Sequence, residues 1–228
     1  MNKKIIGIGI GAAVSIAAVF LILIPQLSPT PPIPPTQTEN ISHNIKLGLV
    51  IMPPTQKPTL EEIRSAYAQA ASTGIGRSNV YLSWPIMEPT QGNYNWKYSD
   101  ILMGLNREQH LNVTLYFSVI NNQNLGPFPN WMGNPQLDQK LQDQTVTTLD
   151  NILSRYYIVD HVIIGGNIDS YFRDHPSEIP AYVDFFNGVY SKLKVKYPDI
   201  KFGNWFSLND VSNHFQGDIV GKLNQGDF

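Results

Sequence analysis

The apolar run VIIGG at 162–166 hands over to Asn167, Ile168, Asp169, Ser170 and Tyr171. An amide, a carboxylate, a hydroxyl and a phenol therefore collect just past a short hydrophobic segment. Amides hydrogen-bond hydroxyl groups, and aromatic faces stack on sugar rings. Similar side chains stand at or just past other apolar runs: Trp84 in NVYLSW, Asn121 and Asn122 after NVTLYFSVI, Trp131 in a Pro-containing stretch, and Trp205 in KFGNWFSL. Trp84, Asn121, Trp131, Asn167, Asp169, Tyr171 and Trp205 are thus the candidate ligand-binding residues. The ligand they suit is a polysaccharide or oligosaccharide. Each aromatic also reads as packing, which is the plainer reading of Trp84 and Trp205. Asp169 stands two positions past Asn167, so an extended backbone points it to the same side. It reads either as an acid or as a loop cap.

Composition narrows the partners. The net charge of −2 does not favour nucleic acid or anionic lipid, which need a basic surface. With no cysteine there is no disulfide, thiol nucleophile or thiolate metal site. His43, His110, His161, His175 and His214 are scattered without metal-ligand spacing, so neither a metal nor any other cofactor is implied. No G-x-G-x-x-G follows the first apolar run, and no phosphate loop occurs.

Lys3 and Lys4 precede Ile5–Ile24, a stretch whose one polar side chain is Ser15. As a helix it spans about 30 Å, enough for a bilayer. The apolar core is long for a cleaved leader and no A-x-A pattern follows, which favours an uncleaved anchor. The lysines place the N-terminus inside and the rest of the chain outside. The expectation is a single-pass cell-membrane protein with an extracytoplasmic C-terminal part, secreted if residues 1–25 are removed. The Pro-rich segment 26–44 reads as a stiff, extended spacer. Asn40-Ile41-Ser42 matches a glycosylation sequon there. Asn112-Val113-Thr114 also matches, but at a predicted strand start, where it reads as coincidence.

From residue 45 onward strands and helices alternate. Buried strands are predicted at 46–52, 79–84, 112–120, 161–166 and 201–208. Helices are predicted from the capping box Thr59-x-x-Glu62 to Gly74, over 97–109, through Leu137–Tyr156, and through Ile179–Leu193 to Tyr197-Pro198. A fifth helix fits 210–225, and Asp227-Phe228 opens a sixth strand. This order gives a parallel sheet covered by helices. The long units fit a (β/α)8 barrel better than a nucleotide-binding sheet.

WPIMEPTQGNYNWKYSD (84–100) resembles the W-x-x-x-E-P-x-x-G-x-Y-x-W-x-x-x-D segment of clan A glycoside hydrolases, which are retaining (β/α)8 barrels that include cellulase-like and β-galactosidase-like families. NLGPFPNWM (124–132) resembles their loop after strand three. VIIGGNIDSYF (162–172) resembles the end of strand four, where the family reads G-N-E-I-D-x-Y. The resemblance covers about 45–228. It implies that Glu88 is structural. His161, which precedes the fourth predicted strand, reads as a surface or packing residue rather than a base.

The resemblance also implies a deficit. The family's acid/base glutamate falls on Asn167, or on Ile168 if one gap is allowed, and neither holds a titratable proton. Retaining hydrolysis needs two carboxyl groups about 5–5.5 Å apart. Strands six to eight, which carry the nucleophile, would follow Phe228. No catalytic residue is assigned, and the isolated chain is expected to be inactive and at most carbohydrate-binding. The alternatives are a β-glycosidase completed by a partner chain and a truncated product with no function. The fold expected is a partial (β/α)8 barrel of about five to six units. Its open edges invite a partner chain or self-association.

Overall fold

The computed structural model describes residues 43–53, 55–208, 221–223 and 226–227. The expected membrane span, nearly all of the linker, and most of the helix expected at 210–225 lie outside these residues. Among the described residues no helix is long and apolar enough to cross a membrane.

The elements run β1 (Asn44–Val50), α1 (Leu60–Ala71), β2 (Ile75–Tyr81), α2 (Trp84–Met87), α3 (Lys97–Glu108), β3 (Asn112–Asn121), β4 (Asn124–Leu125), α4 (Gln139–Arg155), β5 (Val159–Gly166), α5 (Ile168–Asp174), α6 (Ile179–Lys196) and β6 (Lys201–Trp205). The sheet order is β1-β2-β3-β5-β6, all parallel, and β4 folds back antiparallel onto β3. Sequence-adjacent strands linked through helices make one barrel-like arc, the partial (β/α) barrel expected.

Local chemistry sets the boundaries. At α1 the Glu62 N–H donates to Thr59 Oγ1 (3.2 Å) while Thr59 N–H donates to Glu62 Oε2 (2.7 Å). This is the capping box, and it satisfies two N–H groups the helix itself leaves unpaired. Asp138 caps α4 by accepting from Leu141 N–H at 2.9 Å. The helices cover the convex face of the sheet. There Val113, Leu115, Phe117, Val162, Ile164 and Phe202 are at most 1% exposed. Leu149, Ile152, Tyr182, Phe186 and Val189 are equally buried on α4 and α6.

Two expectations need correction. β1 is not buried: all seven of its residues are exposed, including Ile45, Leu47 and Leu49. It is the edge of the described sheet, with β2 as its only described neighbour, so among the described residues no strand packs on its far side. The second strand spans Ile75–Tyr81 rather than 79–84, because Pro85 opens the short helix α2. The expected start of a sixth strand at Asp227-Phe228 lies in part outside the described residues; the Asp227 N–H donates to Phe202 O at 2.7 Å and its carboxylate accepts from Phe202 N–H at 3.0 Å. The short elements β4, α2 and α5 had no periodicity to announce them.

Candidate functional site

Polar and aromatic groups gather at the C-terminal ends of the parallel strands and on the concave face below them. β3 and β5 each end in a left-handed asparagine, Asn122 (φ 55°) and Asn167 (φ 53°). That conformation is uncommon outside glycine, and asparagine tolerates it best among side-chain-bearing residues. The two are tied together. Asn167 Nδ2 donates to Asn122 Oδ1 and to Ser170 Oγ, both at 2.9 Å, and Asn122 N–H donates to Gly166 O at 3.0 Å. Asn121 Nδ2 donates to Ser118 O (3.1 Å) and Gly126 O (2.6 Å), which pins the turn into β4.

Asn167 is therefore the rim residue after β5. Ile168 and Asp169 are both fully buried in the first turn of α5. Asp169 Oδ1 accepts from Ser207 N–H at 3.0 Å, which fastens the segment after β6 to α5. This geometry matches its loop-cap reading.

The other candidates separate by burial. Trp84 is 4% exposed, its ring tilted against Phe117 (5.1 Å) and edge-on to Phe128 (6.0 Å). Its Nε1–H donates to Glu88 Oε2 at 2.8 Å. Glu88 is itself buried and also accepts from Thr148 Oγ1–H (3.1 Å) and Gly92 N–H (2.8 Å). Trp131 is partly buried and donates from Nε1 to Glu88 O at 2.9 Å. Glu88 thus ties together four segments: α2, the turn at Gly92, the loop at Trp131 and α4. Tyr171 lies in the core, bonded through its hydroxyl to Glu178 Oε2 (2.7 Å) and stacked on His175 at 4.3 Å. Trp205, by contrast, is 50% exposed on the concave side.

Trp205 belongs to a row that the sequence reading did not assemble. Tyr81, Tyr116 and Trp205 stand on β2, β3 and β6. Their rings touch in succession, Tyr81 to Tyr116 at 5.3 Å and Tyr116 to Trp205 at 6.0 Å. Gly166 on β5 makes the second contact possible, because a side chain there would collide with the Tyr116 ring. Burial pushes the Tyr116 phenol up to about 12, against the lowering effect of the Ser118 hydroxyl. The signal for Tyr116 was present: in NVTLYFSVI it alternates with Leu115 and Phe117, which face the helices.

Beside this row lies a cavity of about 480 Å3, within the range of small-ligand sites. Asn79, Tyr81, Tyr116, Asn121, Asn122 and Trp205 are among the residues that line it. No Asp, Glu, Lys, Arg or His lines it among the described residues. No group of described acidic or histidine side chains could hold a metal ion.

The N-terminal end of the concave face carries a separate ion-pair cluster. Arg77 grips Asp160 with both terminal nitrogens (2.9 and 3.0 Å), and His161 Nδ1 lies 2.7 Å from the same carboxylate. Asn112 Nδ2 donates to Asp160 Oδ2 at 2.8 Å, so that sequon is engaged inside the sheet. Burial opposes ionisation of Asp160, but the bonds from His161 and the Arg77 charge prevail and hold its pKa below the usual carboxylate value.

No protein-family model matches the sequence, and no curated protein matches it. Solved structures do match in fold. An apo β-glucosidase 1317 superposes with a TM-score of 0.55 at 10% identity, over 74% of this chain and 54% of that one. An exo-β-1,4-mannosidase from Opitutaceae bacterium strain TAV5 gives 0.53 at 16% identity, over 64% of this chain and 28% of that one. A family 39 glycoside hydrolase from Bacteroides cellulosilyticus WH2 gives 0.51 at 16% identity, over 69% and 30%. The matched part spans between about a quarter and a half of these structures. Parallel strand order, helical cover and these superpositions agree: the chain has the fold of one part of a (β/α) barrel like those of the glycoside hydrolases it superposes on.

Proposed function

We propose that this chain is a glycoside-hydrolase-like protein that binds carbohydrate without cleaving it, tethered to the outer face of the cell membrane through residues 5–24. The observation that carries the reading is the rim of β5. Where the resemblance calls for a glutamate, the chain presents Asn167, an amide locked to Asn122 and Ser170. An amide binds hydroxyl groups but cannot protonate a leaving oxygen. The exposed face of Trp205, the neighbouring Tyr116 and Tyr81, and the cavity beside them supply a stacking surface for a sugar ring. Trp131 and Asn121 border the same strand ends. Asp169 fastens the segment that follows Trp205 through the Ser207 N–H.

The test is affinity electrophoresis of the full chain in gels containing β-glucan, β-mannan or β-galactan, in parallel with Trp205→Ala and Trp131→Ala. Retardation by at least one glycan, reduced in Trp205→Ala, is expected, together with no turnover of aryl β-glycosides. Migration unaffected by all three glycans removes the binding claim, and robust turnover removes the non-hydrolytic one.

A second reading is favoured by β1. Its exposed run is self-complementary about Leu47. In an antiparallel pair with a second copy, Ile45 meets Leu49 and Lys46 meets Gly48, so no lysines stand directly opposite each other. Among the described residues this edge has no second neighbour, an apolar edge of this kind is a template for another strand, and the occupant proposed is a second copy of this chain. Light scattering of the full chain in detergent tests it. Capture of a carboxylate-bearing partner chain, with glycosidase activity appearing, would instead favour the completed-enzyme alternative.

A further inference from the structure

The cavity beside Trp205 is aromatic, uncharged and supplied with hydrogen-bond donors. The rings of Tyr67, Tyr81, Tyr98, Tyr116 and Trp205 line it, and among the described residues no formally charged side chain does. Asn95 and Asn122 line it as well. Each uses its amide oxygen inside the fold: Asn95 Oδ1 accepts from Lys97 N–H at 3.3 Å, and Asn122 Oδ1 accepts from Asn167 Nδ2 at 2.9 Å. Their NH2 groups are thereby left as donors, and the indole nitrogen of a tryptophan can only donate. Among the described residues no hydrogen bond engages the Trp205 Nε1–H. The occupant that suits this lining has flat apolar faces, no charge, and more acceptors than donors.

A run of prolines has that chemistry. Each proline lacks the backbone N–H but keeps its carbonyl, so the run is rich in acceptors and poor in donors. Its polyproline II helix makes no internal hydrogen bonds and docks on aromatic side chains at little further cost in chain entropy. In this sequence Pro29–Pro35 reads PTPPIPP, with five prolines in seven residues, no charge, and P-x-x-P three times in overlap.

We infer that the cavity takes this segment of the chain itself, residues 29–35, which lie outside the described ones, as a polyproline II helix packed on the Tyr116 and Trp205 rings. Nine peptide steps separate Pro35 from Asn44, and they extend to about 30 Å. β1 covers only about 20 Å from Asn44 to Val50, one of the cavity's lining residues. The segment can therefore double back along β1 and reach the cavity of its own molecule. A short tether supplies an effective concentration of about a millimolar, which makes a weak contact persistent. Such docking goes beyond carbohydrate binding and does not require it; where both hold, segment and glycan compete for the Trp205 face.

The experiment is fluorescence anisotropy of a labelled peptide of residues 27–37 added to the full chain in detergent. The wild type is compared with a chain carrying Pro29→Ser, Pro31→Ser, Pro32→Ser, Pro34→Ser and Pro35→Ser, none of which lies in a described element. The serine-substituted chain should bind the peptide, and the wild type should bind it about tenfold more weakly. That ratio follows from a peptide Kd of about 0.1 mM set against an effective concentration of about a millimolar. Adding Trp205→Ala to the serine-substituted chain should weaken peptide binding at least fivefold. Equal binding by the wild type and the serine-substituted chain overturns occupancy by the chain's own segment. No binding by the serine-substituted chain, binding indifferent to Trp205→Ala, or equal binding of a peptide whose prolines are all serine overturns the assignment of the cavity. A dimer dissolved by the five changes shows the segment docking on a second copy and overturns docking within one molecule. Glycan retardation of the serine-substituted chain reads carbohydrate binding separately, because it persists or strengthens whatever the peptide does.

Discussion

The hydroxyl end of Tyr116 occupies the space where a side chain on Gly166 would begin. Tyr116 is on β3 and Gly166 is on the neighbouring β5, in register with Trp205 on β6. The missing side chain lets a tyrosine from one strand lie across a second strand and meet a tryptophan on a third. One residue thereby joins Trp205 to the Tyr81–Tyr116 pair in a continuous surface.

Gly166→Ala should break that surface at modest cost to the fold. The atoms in its way belong to the half-buried Tyr116 ring, which has the concave side to swing into. Gly165→Ala is the informative contrast. Its new methyl would strike the fully buried Tyr182 hydroxyl and Ile168, neither with room to give. Urea unfolding should show Gly165→Ala destabilised by about 1–3 kcal/mol, the usual cost of overpacking. Gly166→Ala should lose less than that while shifting Trp205 emission and weakening glycoside binding. Equal loss of stability in both would remove the distinction.

Glu88 predicts a stability effect that separates charge from geometry. Its carboxylate accepts from Trp84, Thr148 and Gly92. Glu88→Ala leaves three donors without their acceptor and removes buried volume, for an expected loss of about 3–5 kcal/mol. Glu88→Gln keeps one acceptor oxygen but turns an NH2 group toward a donor, costing about 1–3 kcal/mol. The denaturant midpoint at unchanged slope is the measurement. A wild-type midpoint in Glu88→Ala would refute the structural role.

Alkaline pH should loosen the fold in a defined window. Burial raises the phenols of Tyr67, Tyr116 and Tyr156 from about 10 to about 12. Above pH 10 the unfolded chain releases these protons while the folded chain keeps them. Stability from the neutral phenols is therefore complete below pH 10 and is lost as pH rises to 12. Absorbance titration at the tyrosinate band should show a fraction that ionises only on unfolding. Removing Tyr116 by Phe substitution should flatten part of the pH dependence. If all eleven tyrosines titrate together near pH 10 in the folded protein, the burial argument fails.

The sequence disclosed the fold better than the surface. The capping box at Thr59 and Glu62, and the alternation in NVTLYFSVI, are local features, and they produced α1 and β3 nearly to the residue. The structural role of Glu88 came through the family-like segment around it. Asn167 and Trp131 were legible as rim residues by their position after apolar runs, whereas Trp205, which reads more plainly as packing, is half exposed. Burial of Tyr171 and Asp169 was not legible, because α5 begins immediately after Gly166 and turns both inward. The aromatic row was missed for a different reason. Its members lie 35 and 89 residues apart in sequence, and only the parallel register through Gly166 joins them.

The exposure of β1 makes the last prediction. Ile45, Leu47 and Leu49 are 61%, 56% and 45% exposed, a density of large apolar side chains that soluble surfaces rarely carry on one strand. In the antiparallel pairing about Leu47, the two Leu47 side chains face each other across the symmetry axis. Leu47→Lys places two like charges at that point, a direct repulsion that edge strands use against pairing. The substitution sits on a solvent-facing position, so the monomer should keep its unfolding midpoint within about 0.5 kcal/mol. Light scattering of the full chain in detergent should then show the wild type as a dimer and Leu47→Lys as a monomer. Lys46→Glu makes the control: lysine 46 faces glycine 48 across the pair, so reversing its charge should leave the dimer intact. Dissociation by both substitutions would indicate a contact other than the β1 pairing, and a wild-type monomer would remove the second copy from the open edge altogether.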